Sequence, residues 1–425
     1  MRTGSLLFCA LVGCGAPAAP REPLGPPTSA TASAQPPPAR RSSWVDATRS
    51  PWPHTPADER VAALTSACGV ADGALARVAT RLVAERARGL GAPDPDRVVS
   101  MLRREGEPHL RPRIVSSSSR GPHDDDAIRA NLEAARRPGT RCGVALARPE
   151  IASGKEGNEL FVAVAVDALA DLEALPTRAR TGEWLTFSAV LRVPAASAKL
   201  VVLGPRGLPR TVPTSLDRAP SSPRAPTTEA SGSASPPGGA TVRARFALDQ
   251  PGAFTVQLVA ELASGPAPLL EARVFADVDP PPDDDTSAPA PGEDVGGGDD
   301  DVAALARMTA ALRASESLPA LRRDERLDAL ARAHAEQMRR ARAVVHDLGD
   351  GDLAVRFESA GLAAKVVGEN VARARSVRLA HRALHASPSH RRNLLSADYT
   401  HVGLGVVTDD AGDVYACEVF AGALR

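Results

Sequence analysis

The stretch Gly368-Glu369-Asn370-Val371-Ala372 is one of five short motifs that decide the fold of the last third of the chain. Before it, apolar residues from Leu327 to Met338 recur at the spacing of one helix face, and His334 lies on that face. The other motifs are, in chain order, Val345-His346-Asp347, Ser387-Pro388-Ser389-His390-Arg391-Arg392-Asn393-Leu394-Leu395, Val402-Gly403-Leu404-Gly405-Val406 and Tyr415-Ala416-Cys417-Glu418-Val419-Phe420-Ala421. Residues 302–425 therefore combine helix signals with a group of histidines.

The order and spacing of these motifs resemble the bacterial branch of the CAP superfamily (cysteine-rich secretory proteins, antigen 5 and plant pathogenesis-related proteins, also called SCP domains). The resemblance implies an α-β-α sandwich whose central cleft holds two histidines and two acidic residues. Three of these positions match His346, Glu369 and His390. The fourth, acidic in animal and plant members, falls on Ser387. The resemblance thus implies a binding cleft of His346, Glu369, Ser387 and His390 without a carboxylate pair.

Two imidazoles and one carboxylate are side chains that bind Zn²⁺ and leave a coordination position open. His346, Glu369 and His390 are therefore candidate zinc ligands and candidate catalytic residues, with no catalytic role assigned. Alternatively, Glu369 orients a histidine by hydrogen bonding without any metal. A third interpretation has Glu369 bracing the loop before the next helix, with the histidines packed against it.

Two other arrangements carry weaker signals. His381 and His385 have the spacing of a zincin helix, but Arg382 occupies the place of the general-base glutamate, so a solvated helix face is predicted. Ser387 and Ser389 precede His390, yet neighbours in sequence rarely meet at the angle that a nucleophile needs, and the chain has no Gly-x-Ser-x-Gly elbow.

The N-terminus resembles a bacterial lipoprotein signal. Arg2 precedes a short apolar stretch that ends in Leu11-Val12-Gly13-Cys14, which predicts a signal peptide over residues 1–13 and lipidation of Cys14. The alternative is an ordinary secretory signal that is cut near residues 16–19. Gly15 lacks the aspartate that commonly retains lipoproteins at the inner membrane. The prediction is a protein secreted across the inner membrane and lipid-anchored in the envelope, at the outer membrane or cell surface.

Composition limits the choice of partners. The chain has 51 Lys+Arg and 51 Asp+Glu, so it carries no net field to attract nucleic acid, and none is expected as a partner. Setting aside Cys9 and Cys14 leaves Cys68, Cys142 and Cys417. A Cys68–Cys142 disulfide would contribute on the order of 4 kcal/mol, and the alternative is three small buried hydrophobic residues.

Low-complexity tracts divide the chain. A Pro/Ala/Ser stalk is predicted over residues 14–57, and an acidic Pro/Gly linker, self-repelling and extended, over residues 280–301. Between them, helical spacing at residues 72–88, 96–104 and 126–136 precedes strand patterns. Residues 176–279 alternate with period two and predict a β-sandwich with a disordered insert at about 214–240.

A weak internal repeat suggests that residues 58–172 are a degenerate CAP-like α+β domain. Gly106-Glu107 and Asn131-Leu132 have the spacing of Gly368-Glu369 and Asn393-Leu394. In this alignment Ile128 takes the place of His390 and Asp94 falls near that of His346, so the acid/base set is missing. An unrelated α+β domain is the alternative.

The fold class predicted for the whole chain is therefore α+β, with a CAP-like domain, an all-β sandwich and a C-terminal CAP domain. The favoured function is an envelope binding module for an unidentified lipid, glycan or protein ligand. The alternative is a metal-assisted hydrolase that acts on an envelope peptide, glycan or lipid.

Overall fold

The computed structural model describes residues 44–90, 95–148, 158–217, 239–282, 289–295 and 300–425. The predicted signal peptide, Cys14, Asp94 and the start of the stalk lie outside these ranges. Within them, no helix combines the length and the apolar character that crossing a bilayer requires.

The first part of the described chain alternates helices and strands. These elements are β1 (Ala47–Thr48), α1 (Glu59–Cys68), β2 (Val70–Ala71), α2 (Gly73–Ala87), α3 (Pro95–Arg104), β3 (Arg113–Ser119), α4 (Asp125–Ala135), β4 (Thr140–Ala147) and β5 (Glu159–Asp167). The predicted helices at 72–88, 96–104 and 126–136 are confirmed as α2, α3 and α4. Leu75, Val78 and Leu82 share one face of α2 and are buried against the sheet β2-β4-β5-β3, because residues three and four apart align along a helix.

Two antiparallel sheets form the middle of the chain. The strands of this region are β6 (Ala170–Leu172), β7 (Leu175–Pro176), β8 (Arg178–Ala179), β9 (Trp184–Leu191), β10 (Ala198–Leu203), β11 (Arg210–Val212), β12 (Thr214–Asp217), β13 (Thr241–Ala247), β14 (Gly252–Leu262) and β15 (Gly265–Ala276). Of these, β7 pairs with β1 and belongs to neither of the two sheets. The sheets run β11-β10-β14-β15-β8, in which β8 alone pairs in parallel, and β12-β13-β9-β6. Phe187 and Phe246 of one sheet share a core with Phe254 of the other, so the predicted β-sandwich is present.

The boundaries of this region differ from the sequence-based expectation. Residues 214–217, predicted to begin the insert, form β12 and pair with β13. The predicted stalk is packed from Trp44 onward: the Trp44 ring meets Phe275 edge-on at 5.0 Å, and β1 pairs with β7. The segments at residues 44–48 and 214–217 are too short for apolar periodicity to reveal them in the sequence. At the first of them, the single ring of Trp44 is enough to anchor the segment.

The C-terminal domain has three layers. Its elements are α5 (Asp301–Ser315), β16 (Arg322–Arg323), α6 (Glu325–Ala341), α7 (Leu353–Ser359), β17 (Val366–Ala374), α8 (Val377–Ala386), α9 (Pro388–Leu394), β18 (His401–Thr408) and β19 (Val414–Gly422). One face of the sheet β16-β18-β19-β17 packs against α5 and α8, with Leu305 and Leu384 in the core. The other face packs against α6 through Leu327 and Met338. The predicted α-β-α sandwich is confirmed.

Part of the predicted extended linker is docked on this domain. Residues Glu293–Val295 form a short 3-10 turn. Arg382 Nε on α8 donates to Glu293 Oε1 at 2.8 Å, and Glu293 is 5% exposed. The positive charge of Arg382 thus holds residues 289–295 against the C-terminal domain through Glu293. The acidic composition of the linker alone predicted an extended segment and did not indicate this contact.

The two α+β regions share one topology. The sheets β2-β4-β5-β3 and β16-β18-β19-β17 have the same strand order, with the first strand parallel and the others antiparallel. Asp72 and Asp324 cap the equivalent helices α2 and α6. Gly143 and Gly403 lie where a Cβ atom would overlap the backbone of those helices. This correspondence supports the proposed internal repeat.

The strand register corrects the predicted alignment of the two copies at one position. Glu369 lies opposite Val419, and the equivalent pair in the first copy is Ile114 opposite Val164. Gly106-Glu107 precedes β3, so its matching spacing was coincidental. The first copy therefore carries an apolar side chain where the second carries the cleft carboxylate.

Candidate functional site

One interpretation predicted that Glu369 braces the loop before the next helix, but Glu369 lies within strand β17 and its carboxylate pairs with His346 and Arg356. Its side chain is almost fully buried, and Oε1 accepts a hydrogen bond from His346 Nδ1 at 2.7 Å. An ionised carboxylate only accepts hydrogen bonds, so the proton of His346 is on Nδ1. Of the interpretations left open by the sequence, the structure matches the one in which Glu369 orients a histidine.

Arg356 binds the other oxygen of the same carboxylate. Its Nη2 atom lies 2.8 Å from Glu369 Oε2 and also donates to the carbonyl of His346 at 3.1 Å. Burial raises the pKa of Glu369, but the hydrogen bond from His346 and the charges of Arg356 and His334 outweigh it, so the net pKa is lowered. Glu369 is therefore an ionised, doubly paired group.

His390 is paired with Ser387, the residue at the fourth motif position. His390 Nδ1 lies 2.9 Å from Ser387 Oγ, although sequence neighbours were expected not to meet in this way. Burial, together with the smaller effects of the charges of His346 and Arg111, lowers the pKa of His390 to about 3. Such an imidazole is a weak base, and Ser387 Oγ also accepts from Gln257 Nε2 at 3.1 Å. The contact is therefore a poor nucleophile–base pair at neutral pH.

A buried polar network holds the two halves of the cleft together. Asn370 Nδ2 donates to Glu418 Oε2 at 3.0 Å and to the carbonyl of His390 at 3.1 Å. Asn393 Nδ2 donates to the carbonyl of Glu369 at 3.1 Å. Thr309 Oγ1 of α5 donates to Glu418 Oε1 at 3.2 Å. These bonds connect β17, α9 and α5 and so fix where His390 lies relative to Glu369.

Sequence reasoning missed Glu418, Asn370 and Arg356. Glu418 carried a usable signal, because it is an acidic residue inside the otherwise apolar stretch from Tyr415 to Ala421 and is 0% exposed. Arg356 carried none, since a lone arginine on a short helix is ordinary. Its role depends on α7 packing beside β17.

The cleft residues line one cavity of about 80 Å³. From the C-terminal domain, its wall is formed by His346, Glu369, Ser389, His390, Arg392 and Asn393. The opposite wall belongs to β10 and the β14–β15 hairpin of the β-sandwich. Ser387 lies behind His390 and contacts it. The predicted cleft residues are thus brought together, and a second part of the chain covers them.

The β-sandwich is fastened to the cleft by Gln257 of β14. This side chain is 3% exposed and accepts from the Ser389 backbone N–H at 3.1 Å in addition to its bond to Ser387. At the hairpin turn, Gly265 has φ +92° and lies so close to His346 that a Cβ would be 2.8 Å from the His346 Cβ. Glycine is required there both for its backbone conformation and for this close approach.

The residues do not fit the zinc site that the sequence suggested. Both oxygens of Glu369 are engaged, one of them by the guanidinium of Arg356, and a dication bound there would lie beside that positive charge. Within the described ranges, no three His, Cys, Asp or Glu side chains are arranged to hold a metal ion. His346, His390 and Glu369 therefore line a cavity without forming a ligand set.

The second histidine pair is also placed differently from the prediction. His381 is fully buried rather than solvated, and its Nε2 lies 3.2 Å from the carbonyl of Pro291. Burial lowers the pKa of His385 to about 4. The segment at 289–295 contacts this helix at His381, so this histidine packs against the chain's own linker.

Cys68 and Cys142 are joined by a disulfide, with their Cα atoms 5.9 Å apart. The bridge ties the end of α1 to β4 in the first α+β region. Cys417 is a buried free thiol, 3.5 Å from Glu369 Oε2.

Glu418 makes the stability of the C-terminal domain depend on pH. Burial raises its pKa from 4.5 to about 7, although hydrogen bonds from Asn370 and Thr309 oppose the shift. The folded state binds this proton more tightly, so stability falls as the pH rises from 4.5 to about 7. Glu418→Gln should remove this dependence. Its free energy of unfolding, relative to that of the wild type, should therefore rise by roughly 3 kcal/mol between pH 4.5 and about 7.

The pH dependence of stability is measured by urea unfolding at several pH values, monitored through hydrogen exchange of peptides from β19. Glu358→Gln, which changes an exposed glutamate of the same domain, is the matched control. An equal pH dependence in wild type and Glu418→Gln would contradict the assignment.

Residues 306–420 match the model of the cysteine-rich secretory protein family, CAP. No curated protein sequence matches the chain.

Similar solved structures include an outer surface protein from Borrelia burgdorferi, which is 21% identical, with 29% of this chain and 92% of that chain covered and a TM-score of 0.27. An extracellular SCP-domain protein from Bacillus anthracis is 19% identical, with coverage of 41% and 65% and a TM-score of 0.27. A cysteine-rich secretory protein from Staphylococcus aureus is 13% identical, with coverage of 67% and 84% and a TM-score of 0.25.

Proposed function

Because residues 306–420 form a domain of the CAP family, we propose that this chain is a lipid-anchored extracytoplasmic protein whose cleft binds an envelope ligand without turning it over. The ligand is a lipid, glycan or protein component of the envelope. Anchoring through Cys14 is supported by the lipobox-like sequence Leu11-Val12-Gly13-Cys14.

The observation that carries the proposal is the engagement of Glu369 by both His346 and Arg356. A hydrolase of the acid/base type needs a carboxylate or imidazole that is free to move a proton near neutral pH. Glu369 is held ionised, the pKa of His390 is lowered to about 3 by burial, and Ser387 stands where a second acid would be. Among the described residues that line the cavity, Glu369 is the one carboxylate, so the His346–Glu369 pair has no second acid opposite it, and the cleft offers its other polar groups for binding.

Anchoring is tested by fractionating cells that express the wild type or Cys14→Ser. We expect the wild type in the membrane fraction with incorporated radiolabelled palmitate, and Cys14→Ser in the soluble fraction without it. A wild type that carries no label and is soluble would contradict the anchor.

Binding is tested by adding purified Cys14→Ser chain to envelope fractions and sedimenting them. His390→Ala should reduce retention about tenfold, as expected for the loss of a central polar contact. His401→Ala, which changes a histidine of the same domain outside the cavity, should leave retention unchanged. Loss of retention in both variants, or steady product release from ester, peptide or glycan substrates that His390→Ala abolishes, would overturn the proposal.

A further inference from the structure

The covered cavity is built from two separate parts of the chain. Lys199 and Val201 of β10, Val259 of β14 and two prolines of β15 face the histidines of the C-terminal domain across it. Apolar atoms thus form much of the β-sandwich wall, and Lys199 supplies its charge. The cavity is incomplete without the β-sandwich.

Two cations lie at this cavity without partners. Lys199 and Arg392 both line it, and each side chain is in part packed against the protein and in part accessible to solvent. Within the described part of the chain, neither forms an ion pair or a side-chain hydrogen bond. Partial burial lowers the pKa of Lys199, the charge of Arg392 lowers it further, and Glu261 opposes both only in part. The two positive charges are therefore close enough to repel each other.

The negative charge in the cavity wall is already balanced. Glu369 lines the cavity but is paired with Arg356 behind it and bonded to His346. The charge of Arg111 also reaches His390 from the first α+β region. A concave site with apolar walls and surplus positive charge concentrates anions.

We propose that this cavity binds a phosphate group between Lys199 of the β-sandwich and Arg392 of the C-terminal domain. Both side chains are standard phosphate ligands, and a tetrahedral dianion accepts hydrogen bonds from several directions. The hydroxyl of Ser389 and the ring of His390 lie on the same wall to supply further polar contacts. This inference rests on the proposed function, since it names the chemistry that the binding cleft recognises.

Calorimetric titration of the full chain, purified in detergent, with inorganic phosphate tests the site. We expect saturable binding, weakened about tenfold or more by Lys199→Glu and by Arg392→Glu, since each removes one charge-assisted contact. Lys365→Glu and Arg378→Glu alter exposed cations of the C-terminal domain outside the cavity, and each should change the Kd by less than about twofold. Wild type without saturable phosphate binding, or equal losses in the controls, would overturn the inference.

A second arm identifies the source of the phosphate. Flotation of the Cys14→Ser chain with phosphatidylglycerol vesicles, compared with phosphatidylcholine vesicles, tests an anionic lipid headgroup. Flotation that Lys199→Glu abolishes and inorganic phosphate competes away assigns the headgroup. Phosphate binding in solution without flotation assigns a soluble or glycan-borne phosphate, and both results support the site.

The two proposals fail separately. Phosphate binding that depends on Lys199 and Arg392, together with envelope retention that ignores His390→Ala, overturns only the proposed function. Retention that depends on His390, in a chain that does not bind inorganic phosphate, overturns only the phosphate site.

Discussion

Glu369→Gln lowers the free energy of unfolding of the C-terminal domain by about 3–5 kcal/mol, the cost of leaving a buried charge without its partner. Arg356 is 8% exposed and lies against the Glu369 carboxylate. The neutral amide still accepts one hydrogen bond, but it no longer balances the guanidinium. The loss is measured by urea unfolding, followed through hydrogen exchange of peptides from β17.

Glu358→Gln provides the control, because this glutamate is exposed on the same helix as Arg356. It should change stability by less than about 0.5 kcal/mol. The double variant Glu369→Gln/Arg356→Met should regain part of the lost stability, since no buried charge remains. A Glu369→Gln protein within about 1 kcal/mol of the wild type would show that water, rather than Glu369, solvates Arg356.

Local periodicity predicted one long helix of the C-terminal domain. The face from Leu327 to Met338 forms α6, and its residues are buried against β18 and β19. The α-β-α layers were implied by the resemblance of the motifs to the CAP superfamily, and some motif residues lie at contacts between neighbouring elements. Gly403, for example, permits the close approach of α6 to the sheet.

The motifs left open whether Glu369 pairs with His346 or with His390, and they gave no sign that a second part of the chain covers the cleft. Gln257 alternates with apolar residues in β14, and such a strand is expected to place Gln257 in solvent. In the structure, that face packs against the C-terminal domain and Gln257 bonds to Ser387 and Ser389. Period two shows which side chains share a face, and it leaves open what covers the polar face.

The same limit explains a link between all three parts of the chain. Glu271 of β15 accepts from Gln257 Nε2 at 3.3 Å and from Arg103 of α3 at 3.2 Å. From its own sequence segment, each of these three residues would be predicted to be an ordinary surface residue. The contacts between parts join distant positions of sequence, with separations of 130 between Gln257 and Ser387 and 168 between Arg103 and Glu271. Only tertiary packing brings such groups together, and it makes one continuous polar chain from α3 to the cleft.

Loss of the Cys68–Cys142 disulfide should destabilise the first α+β region by about 4 kcal/mol, because the bridge removes loop-closure entropy from the unfolded chain. The two cysteines are 74 positions apart, so the closed loop is long and its entropy large. Both side chains are buried, and alanine replaces them without introducing a polar group. The Cys68→Ala/Cys142→Ala variant should therefore show the loss in guanidinium unfolding followed by the fluorescence of Trp52, with Trp44→Phe and Trp184→Phe introduced in both proteins so that Trp52 is the one tryptophan left.

Trp52 reports on this region because its indole donates to the Gly106 carbonyl at 2.9 Å and its backbone N–H donates to Asp72. Reductant should shift wild-type unfolding to the midpoint of the double variant and leave the variant itself unchanged. A reductant effect of equal size on the variant would assign the shift to another group. A double variant within about 1 kcal/mol of the oxidised wild type would mean that the unfolded chain is already compact enough for the bridge to constrain little.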